Sequence, residues 1–167
     1  LSELVSFIRT YPVSSYANEV YYMLGEIYFE MGRYGEAVDN YQKAVKNSPR
    51  ETWASAVNTK IGWAWFKAGN FFESLAQFKR ALEYYSRDEN ADSILFGVAQ
   101  SYRNLKDYDK SILYFDKVIE RYPASGFAVE ALFWKAGALL EQGDYIQAKV
   151  MYEKLLDSFK QTSFAHS

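Results

Sequence analysis

Few residues of this 167-residue sequence have the types and spacing that catalysis requires. The single histidine, His166, is next to the last residue, and the sequence has no cysteine. The hydroxyls of Ser101 and Ser111 lack a nearby histidine that could activate them. There is also no glycine-rich phosphate loop and no nucleophile motif. We therefore predict a protein that is not an enzyme and that holds no cofactor or metal.

The charged residues are explained by solvation and by helix ends. With 19 basic and 21 acidic residues, the net charge is −2, and no basic block could supply the phosphate contacts of a nucleic-acid-binding protein. The pairs Asp88–Glu89 and Asp107–Asp109 fall at predicted turns, where acidic residues favour helix starts.

No apolar run approaches the roughly 20 residues of a membrane helix, and the stretch LSELVSFIRT lacks the pattern of a signal peptide.

Aromatic residues are abundant, at 19% of the chain, and they recur at a fixed spacing. Tyr34, Phe71, Tyr108 and Tyr145 follow one another at intervals of 37 residues. Alanine keeps the same interval, at positions 17, 54, 91, 128 and 165. Such a period predicts an array of structural repeats.

Each repeat has the pattern of two helices joined by a turn. In the stretch 17–49, Tyr21, Leu24, Gly25 and Tyr28 lie at the spacing of one helix face. Gly32, like Gly69 and Gly143, ends the first helix, and Lys106 takes this place in the third repeat. Pro49 and Pro123 end second helices. Gly25 and Gly62 let the first helix approach the second, where Tyr41 and Phe78 fill the gap. The sequence therefore predicts an all-α fold, an α-solenoid of stacked helical hairpins.

The series aromatic-x-x-Leu-Gly-x-x-Tyr, followed by Ala, aromatic, Ala and Pro, resembles the tetratricopeptide repeat. The resemblance implies a right-handed superhelix over residues 1–167. We expect repeats at 17–53, 54–90, 91–127 and 128–164, preceded by the second helix of another repeat (1–16) and followed by a remnant (165–167). Because both ends cut through this pattern, we expect the sequence to be a fragment of a longer chain.

The connection between repeats is longer than in the usual 34-residue unit. It reads Tyr11-Pro12-Val13-Ser14-Ser15-Tyr16-Ala17 and again Tyr122-Pro123-Ala124-Ser125-Gly126-Phe127-Ala128. This junction resembles that of bacterial envelope tetratricopeptide proteins, such as the coordinator of the Tol–Pal system and the outer-membrane assembly lipoprotein. It implies a periplasmic or cell-envelope location, with a cytoplasmic one left open. Ser14 or Ser15, Thr52 and Ser125 are the predicted caps of the next helix.

In this family the first helices line a concave groove that takes a peptide or a helix. By phase, the groove positions lie five, nine and twelve residues after each phased alanine, and half of them are aromatic. An aromatic groove would bind apolar side chains of a partner, although the rings could instead pack on one another. The Lys, Asn and Arg clamp that binds chaperone C-termini is absent from these positions. The predicted binding residues are Tyr22, Glu26, Phe29, Thr59, Trp63, Phe66, Phe96, Gln100, Arg103 and Phe133.

We accordingly predict a scaffold for protein–protein interaction that binds a peptide or partner helix in this groove, centred on Trp63, Phe66 and Phe96. We predict no nucleic-acid partner and no direct membrane insertion. One alternative is a structural spacer or self-assembly module, because cut repeat ends would leave apolar faces open to self-association. Another is a recruiting arm of an enzyme whose catalytic domain lies elsewhere in a longer chain.

Overall fold

The computed structural model describes residues 1–12, 14, 16–46, 53–87 and 89–164, with side chains up to residue 157. All regular structure in these residues is helical. Several residues named above lie outside the described residues, namely Val13, Ser15, Pro49, Thr52, Asp88 and the remnant 165–167, which includes His166. No helix of the described part combines the length and apolar character that a membrane crossing needs.

The described residues form nine helices in two compact units, Leu1–Ala91 and Asp92–Ser167. The helices of the first unit are α1 (Ser2–Thr10), α2 (Ala17–Glu30), α3 (Tyr34–Val45), α4 (Ala54–Lys67) and α5 (Phe71–Tyr85). Those that follow are α6 (Ala91–Asn104), α7 (Tyr108–Arg121), α8 (Gly126–Gln142) and α9 (Tyr145–Phe164). The predicted all-α succession of helical hairpins is confirmed.

In the first unit each helix packs against the next one in the chain, from α1 to α5. The centre of this packing is a cluster in which Val38 and Tyr41 of α3 meet Val57 and Ile61 of α4. All four side chains are at most 2% exposed. Burying apolar surface stabilises a fold by about 25 cal/mol per Å². This cluster is therefore the main stabilising contact between the two hairpins.

The first helices end in the left-handed conformation predicted for their glycines. Gly32, Gly69 and Gly143 have φ angles of 72°, 79° and 94°. In the repeat that lacks the glycine, Lys106 takes the same conformation with φ at 63°. The hairpin turn is therefore kept at Lys106 despite the steric cost of a Cβ there.

The phased alanines mark helix starts in most repeats. Ala17, Ala54 and Ala91 are the first residues of α2, α4 and α6. In contrast, α8 begins two residues before Ala128, because the Ser125 hydroxyl accepts a hydrogen bond from the Phe127 N–H at 3.1 Å. The predicted cap at Ser125 is thus confirmed. The predicted cap at Ser14 is wrong, because its hydroxyl accepts from the Tyr16 N–H at 3.3 Å, and α2 begins after Tyr16 without a side-chain capping hydrogen bond.

Glycine permits close helix contact within the two hairpins of the first unit. A Cβ on Gly25 would lie 2.5 Å from the Tyr41 ring, and one on Gly62 would lie 2.5 Å from the Phe78 ring. Both rings are completely buried. The Ser74 hydroxyl, also buried, donates to the Gly62 carbonyl at 3.0 Å. The packing role that the sequence predicts for the two glycines is confirmed.

In the second unit α7 packs against α8, and α8 packs against α9. Phe115 and Val118 of α7 and Ala136 of α8 are fully buried. Lys135 of α8 stands at the phase of the apolar Leu24, and an ion pair joins its Nζ to Asp116 Oδ1 of α7 at 2.6 Å. The polar residue at this position therefore fits the predicted hairpin.

Candidate functional site

The predicted binding residues lie on the first helices of the hairpins. Six belong to the first unit, on α2 and α4, and four belong to the second unit, on α6 and α8. Nothing in the structure tests whether a partner contacts them, so their role in binding stays a prediction. Their burial and contacts show how much surface each one offers.

All four aromatic side chains among the predicted binding residues of the first unit are half-buried, and each contacts another ring. Phe29 lies edge-on to Tyr34, with 5.4 Å between ring centroids. Trp63 lies edge-on to Phe66 at 5.5 Å and to the buried Phe78 at 5.1 Å. The rings are therefore held in place by the hairpins and still expose part of their surface. The four half-buried side chains are Tyr22, Phe29, Trp63 and Phe66, which we call the aromatic surface of the first unit.

Glu26 accepts hydrogen bonds from two other helices. Its Oε1 accepts from the Tyr41 hydroxyl of α3, and its Oε2 accepts from Lys60 Nζ of α4 at 2.8 Å. The pKa of Tyr41 is raised well above its ordinary value, by burial first and then by the hydrogen bond to Glu26. Burial also raises the pKa of Tyr22, with a further contribution from the charge of Glu26. The carboxylate therefore organises a polar cluster beside the aromatic surface.

Three of the predicted residues are buried and present little surface. Thr59 is 6% exposed, and its hydroxyl donates to the Ser55 carbonyl at 2.8 Å. Gln100 is also 6% exposed. Phe96 is 4% exposed, and its ring lies 5.7 Å from Phe115 and 5.2 Å from Phe127. These contacts match the alternative in which rings at groove positions pack on one another.

Arg103 and Phe133 give the second unit a different surface. The guanidinium of Arg103 lies over the Trp134 ring at 4.6 Å and donates through Nη2 to Glu141. Its buried Nε has no hydrogen-bond acceptor among the described residues. Phe133 is 44% exposed and contacts Tyr152 at 5.9 Å between centroids. The ion pair connects α6 to α8, just as Glu26 and Lys60 connect α2 to α4.

Of the carboxylates considered for chemistry, Asp107 has a structural explanation. Within the described ranges, no group of His, Cys, Asp or Glu side chains could hold a metal ion. Asp107 caps α7 by accepting from the Lys110 N–H at 3.3 Å. The Lys110 ammonium lowers the pKa of the Asp107 carboxyl through a side-chain hydrogen bond. Asp107 therefore stabilises a helix start.

The sequence alone did not single out Lys60, Tyr41 or Trp134 as part of a site. Tyr41 was predicted to be a packing residue, and its ring is one; its hydroxyl is the added feature. Glu26 and Lys60 are 34 residues apart, which is one repeat less about one helical turn. That spacing places opposite charges near each other on neighbouring first helices. It could therefore have indicated this ion pair from the sequence.

Solved structures share this fold. The chain aligns over 96% of its length, and 88% of the other chain, with a crystal structure of MamA at a TM-score of 0.77 and 17% identity. YrrB, described as a tetratricopeptide protein with an unusual peptide-binding site, aligns with 92% of this chain over 75% of its own length, at a TM-score of 0.72 and 21% identity. A putative kinesin light chain of Podosopora anserina, with nearly identical repeats, aligns with 96% of this chain over 85% of its own length. The TM-score is 0.79 and the identity is 13%. These likenesses show an α-solenoid of helical hairpins.

Family models give the same result from the sequence. Three models, each described as tetratricopeptide repeat, match residues 19–51, 59–126 and 130–162. No curated protein sequence matches the chain. Repeats of this kind indicate a scaffold for protein–protein interaction, and proteins built from them are generally non-catalytic. With matches along most of its length, the chain belongs to the tetratricopeptide repeat family.

Proposed function

We propose that the first unit binds a peptide or a partner helix through its aromatic surface, formed by Tyr22, Phe29, Trp63 and Phe66. The observation that carries the proposal is the presence of these half-buried rings on α2 and α4, each in contact with another ring. The proposal is also supported by YrrB, a protein of similar fold that is described as having an unusual peptide-binding site.

The physical basis is the combination of fixed position and partial exposure. Edge contacts with Tyr34 and Phe78 restrict the Phe29 and Trp63 rings before a partner arrives, so little side-chain freedom remains to be lost on binding. Their exposed parts can cover apolar side chains of the partner. Large aromatic residues of this kind carry a large share of binding energy at protein interfaces.

The experiment uses short peptides selected from a random phage-displayed library against the whole chain. For a selected peptide, we expect Trp63→Ala to weaken binding about tenfold or more, because interface hot spots typically cost about 2 kcal/mol or more. Phe72→Ala is the matched control, because Phe72 is an aromatic of the same unit that is 73% exposed on the second helix α5. Circular dichroism confirms that each variant is folded.

Two results would contradict the proposal. One is a selected peptide whose affinity is unchanged by both Trp63→Ala and Phe29→Ala in folded protein. The other is equal loss of affinity in the Phe72→Ala control. If Trp63→Ala lowers stability through the lost Phe78 contact, Trp63→Leu keeps an apolar group there and still removes the ring.

Self-assembly is the second candidate, and one observation favours it. On α9, Tyr145, Ile146 and Leu156 are 68%, 78% and 59% exposed. Exposed apolar residues of this size can mediate contact between copies. Light scattering across a range of concentrations tests this candidate. A defined oligomer that Ile146→Glu returns to monomer supports assembly, and a monomer at all concentrations contradicts it.

A cell-envelope location is also part of the proposal. It is supported by the Tyr-Pro-x-Ser-x-x-Ala junction, which occurs at residues 11–17 and 122–128. Fractionation of the native cell, followed by detection with an antibody to this chain, tests it. Recovery only in the cytoplasmic fraction would contradict an envelope setting.

A further inference from the structure

We propose that the peptide covering the aromatic surface of the first unit carries an acidic side chain whose carboxylate pairs with Lys60. This inference rests on the proposed function and adds the chemistry of the partner. It concerns a side-chain carboxylate that lies between apolar neighbours in the peptide. The residues that carry the inference are Glu26, Lys60, Tyr41 and the rings one helical turn from them.

In the ion pair between α2 and α4, Glu26 uses both of its carboxylate oxygens as acceptors, whereas Lys60 does not use all of its donors. Each carboxylate oxygen of Glu26 already has a donor, Tyr41 for Oε1 and Lys60 for Oε2. An ammonium group has three N–H donors, and Glu26 is the hydrogen-bond acceptor that the described residues provide to Lys60. The Lys60 side chain is 41% exposed. Its remaining donors are therefore available to a group outside the chain.

The position of the pair means that a bound peptide would cover it. Glu26 follows Tyr22 by four residues on α2, and Lys60 precedes Trp63 by three residues on α4. Residues at these spacings are neighbours on a helix surface. A peptide that packs against both rings therefore removes water from the Lys60 ammonium.

Covering a charge without a replacement partner is unfavourable, because the lost hydration is not compensated. The cost falls on Lys60, since Glu26 keeps the Tyr41 hydroxyl as a buried donor. An acidic side chain of the peptide would supply the acceptor, and the interaction would strengthen as water is excluded. A basic peptide residue would instead meet the ammonium that faces outward.

The second unit shows the same inequality independently. Arg103 donates to Glu141, while its Nε has no acceptor among the described side chains and backbone groups. The cation of the pair is again the member with an unused donor. That donor of Arg103 is buried, however, and the side chain is 19% exposed, whereas the Lys60 side chain is 41% exposed and can take an acceptor from a peptide.

The test uses the library-selected peptides and synthetic copies in which each Asp or Glu is replaced by Asn or Gln. We expect selected sequences to contain an acidic residue with apolar residues three or four positions away. Replacing that residue should weaken binding to the wild-type chain about fivefold to tenfold, a coupling typical of close charge pairs. The same replacement should change binding to Lys60→Met less than twofold, and Lys60→Arg should restore most of the difference.

The variant Glu26→Gln should change the affinity for the acidic peptide in the opposite direction. Removing the negative charge leaves the Lys60 ammonium without its neutralising partner, so the acidic peptide should bind about threefold more tightly. A general loss of structure cannot tighten binding in one variant and weaken it in another. Melting temperatures of the three variants establish that they are folded at the assay temperature.

The outcomes separate this inference from the proposed function. Peptides that depend on Trp63 but respond equally to the amide replacement on wild type and Lys60→Met overturn the inference and leave the proposed function intact. Selection of basic peptides that lose affinity in Glu26→Gln also overturns it. Peptides insensitive to Trp63 and Phe29, or no enriched peptide at all, count against both.

Discussion

Tyr41 shows how one residue serves packing and polar contact at the same time. Its completely buried ring occupies the space that Gly25 leaves open, and its hydroxyl donates to Glu26 on α2. Predicting the ring from the repeat pattern was possible, because an aromatic recurs at this phase. Predicting the hydrogen bond was not, because it depends on Glu26 of another helix, and two of the three equivalent residues, Phe78 and Phe115, have no hydroxyl.

Alkaline titration should reveal the buried hydroxyl. The folded chain raises the pKa of Tyr41 above its ordinary value of 10.0, so the unfolded chain loses this proton first as pH increases. The stabilising contribution is therefore fully present below about pH 10 and is lost as pH rises beyond it. We expect the free energy of unfolding to fall more steeply between about pH 9.5 and 11 in the wild type than in Tyr41→Phe. Urea unfolding at several pH values measures this, and parallel curves would contradict the role of the hydroxyl.

A methyl group at Gly62 should test the close approach of α4 and α5. In Gly62→Ala the new Cβ meets the buried Phe78 ring, which cannot move freely, and we expect a loss of about 1–3 kcal/mol. Gly35→Ala is the matched control, because no atom lies within 4 Å of its Cβ position in α3. That variant should be neutral or more stable by up to about 1 kcal/mol. Equal melting temperatures for the two variants would disprove the packing argument.

At the scale of the helices, most boundaries follow from local chemistry that can be read in the sequence. The phased alanines predict the starts of α2, α4 and α6, and the glycines predict three of the four left-handed turns. The start of α8 is shifted because Ser125 caps it ahead of Ala128. Lys106 shows that the hairpin as a whole imposes the turn, even where the residue type disfavours it.

Replacing Lys106 by glycine should therefore stabilise the folded chain. Lys106→Gly removes a left-handed cost of about 1–2 kcal/mol and adds freedom to the unfolded chain, for an expected net gain of about 0.5–1 kcal/mol. Gly69→Ala makes the reverse change in a turn where no atom would contact the Cβ, and it should cost about 1 kcal/mol. Thermal unfolding of both variants measures the pair. A less stable Lys106→Gly would show that the lysine side chain makes a contribution that outweighs the strain.

At the scale of the whole molecule, the 37-residue period allowed the family and the placement of candidate residues on first helices to be predicted. It did not reveal their exposure. Phe96 and Phe133 share a phase, yet Phe96 is buried between Phe115 and Phe127, while Phe133 remains 44% exposed. Phase determines the helix face, whereas burial depends on the side chains of neighbouring helices. The Glu26–Lys60 pair was missed for the same reason, since it joins two repeats.

The most direct test of the binding surface is an NMR titration that observes the indole N–H signals of the four tryptophans. The signals are assigned with single Trp→Phe variants, and a library-selected peptide is then added. The proposed function predicts that the Trp63 signal shifts on binding, while that of Trp65, which packs against the core cluster, changes little. Binding that leaves the Trp63 signal unmoved and shifts only those of Trp53 or Trp134 would contradict the proposed surface.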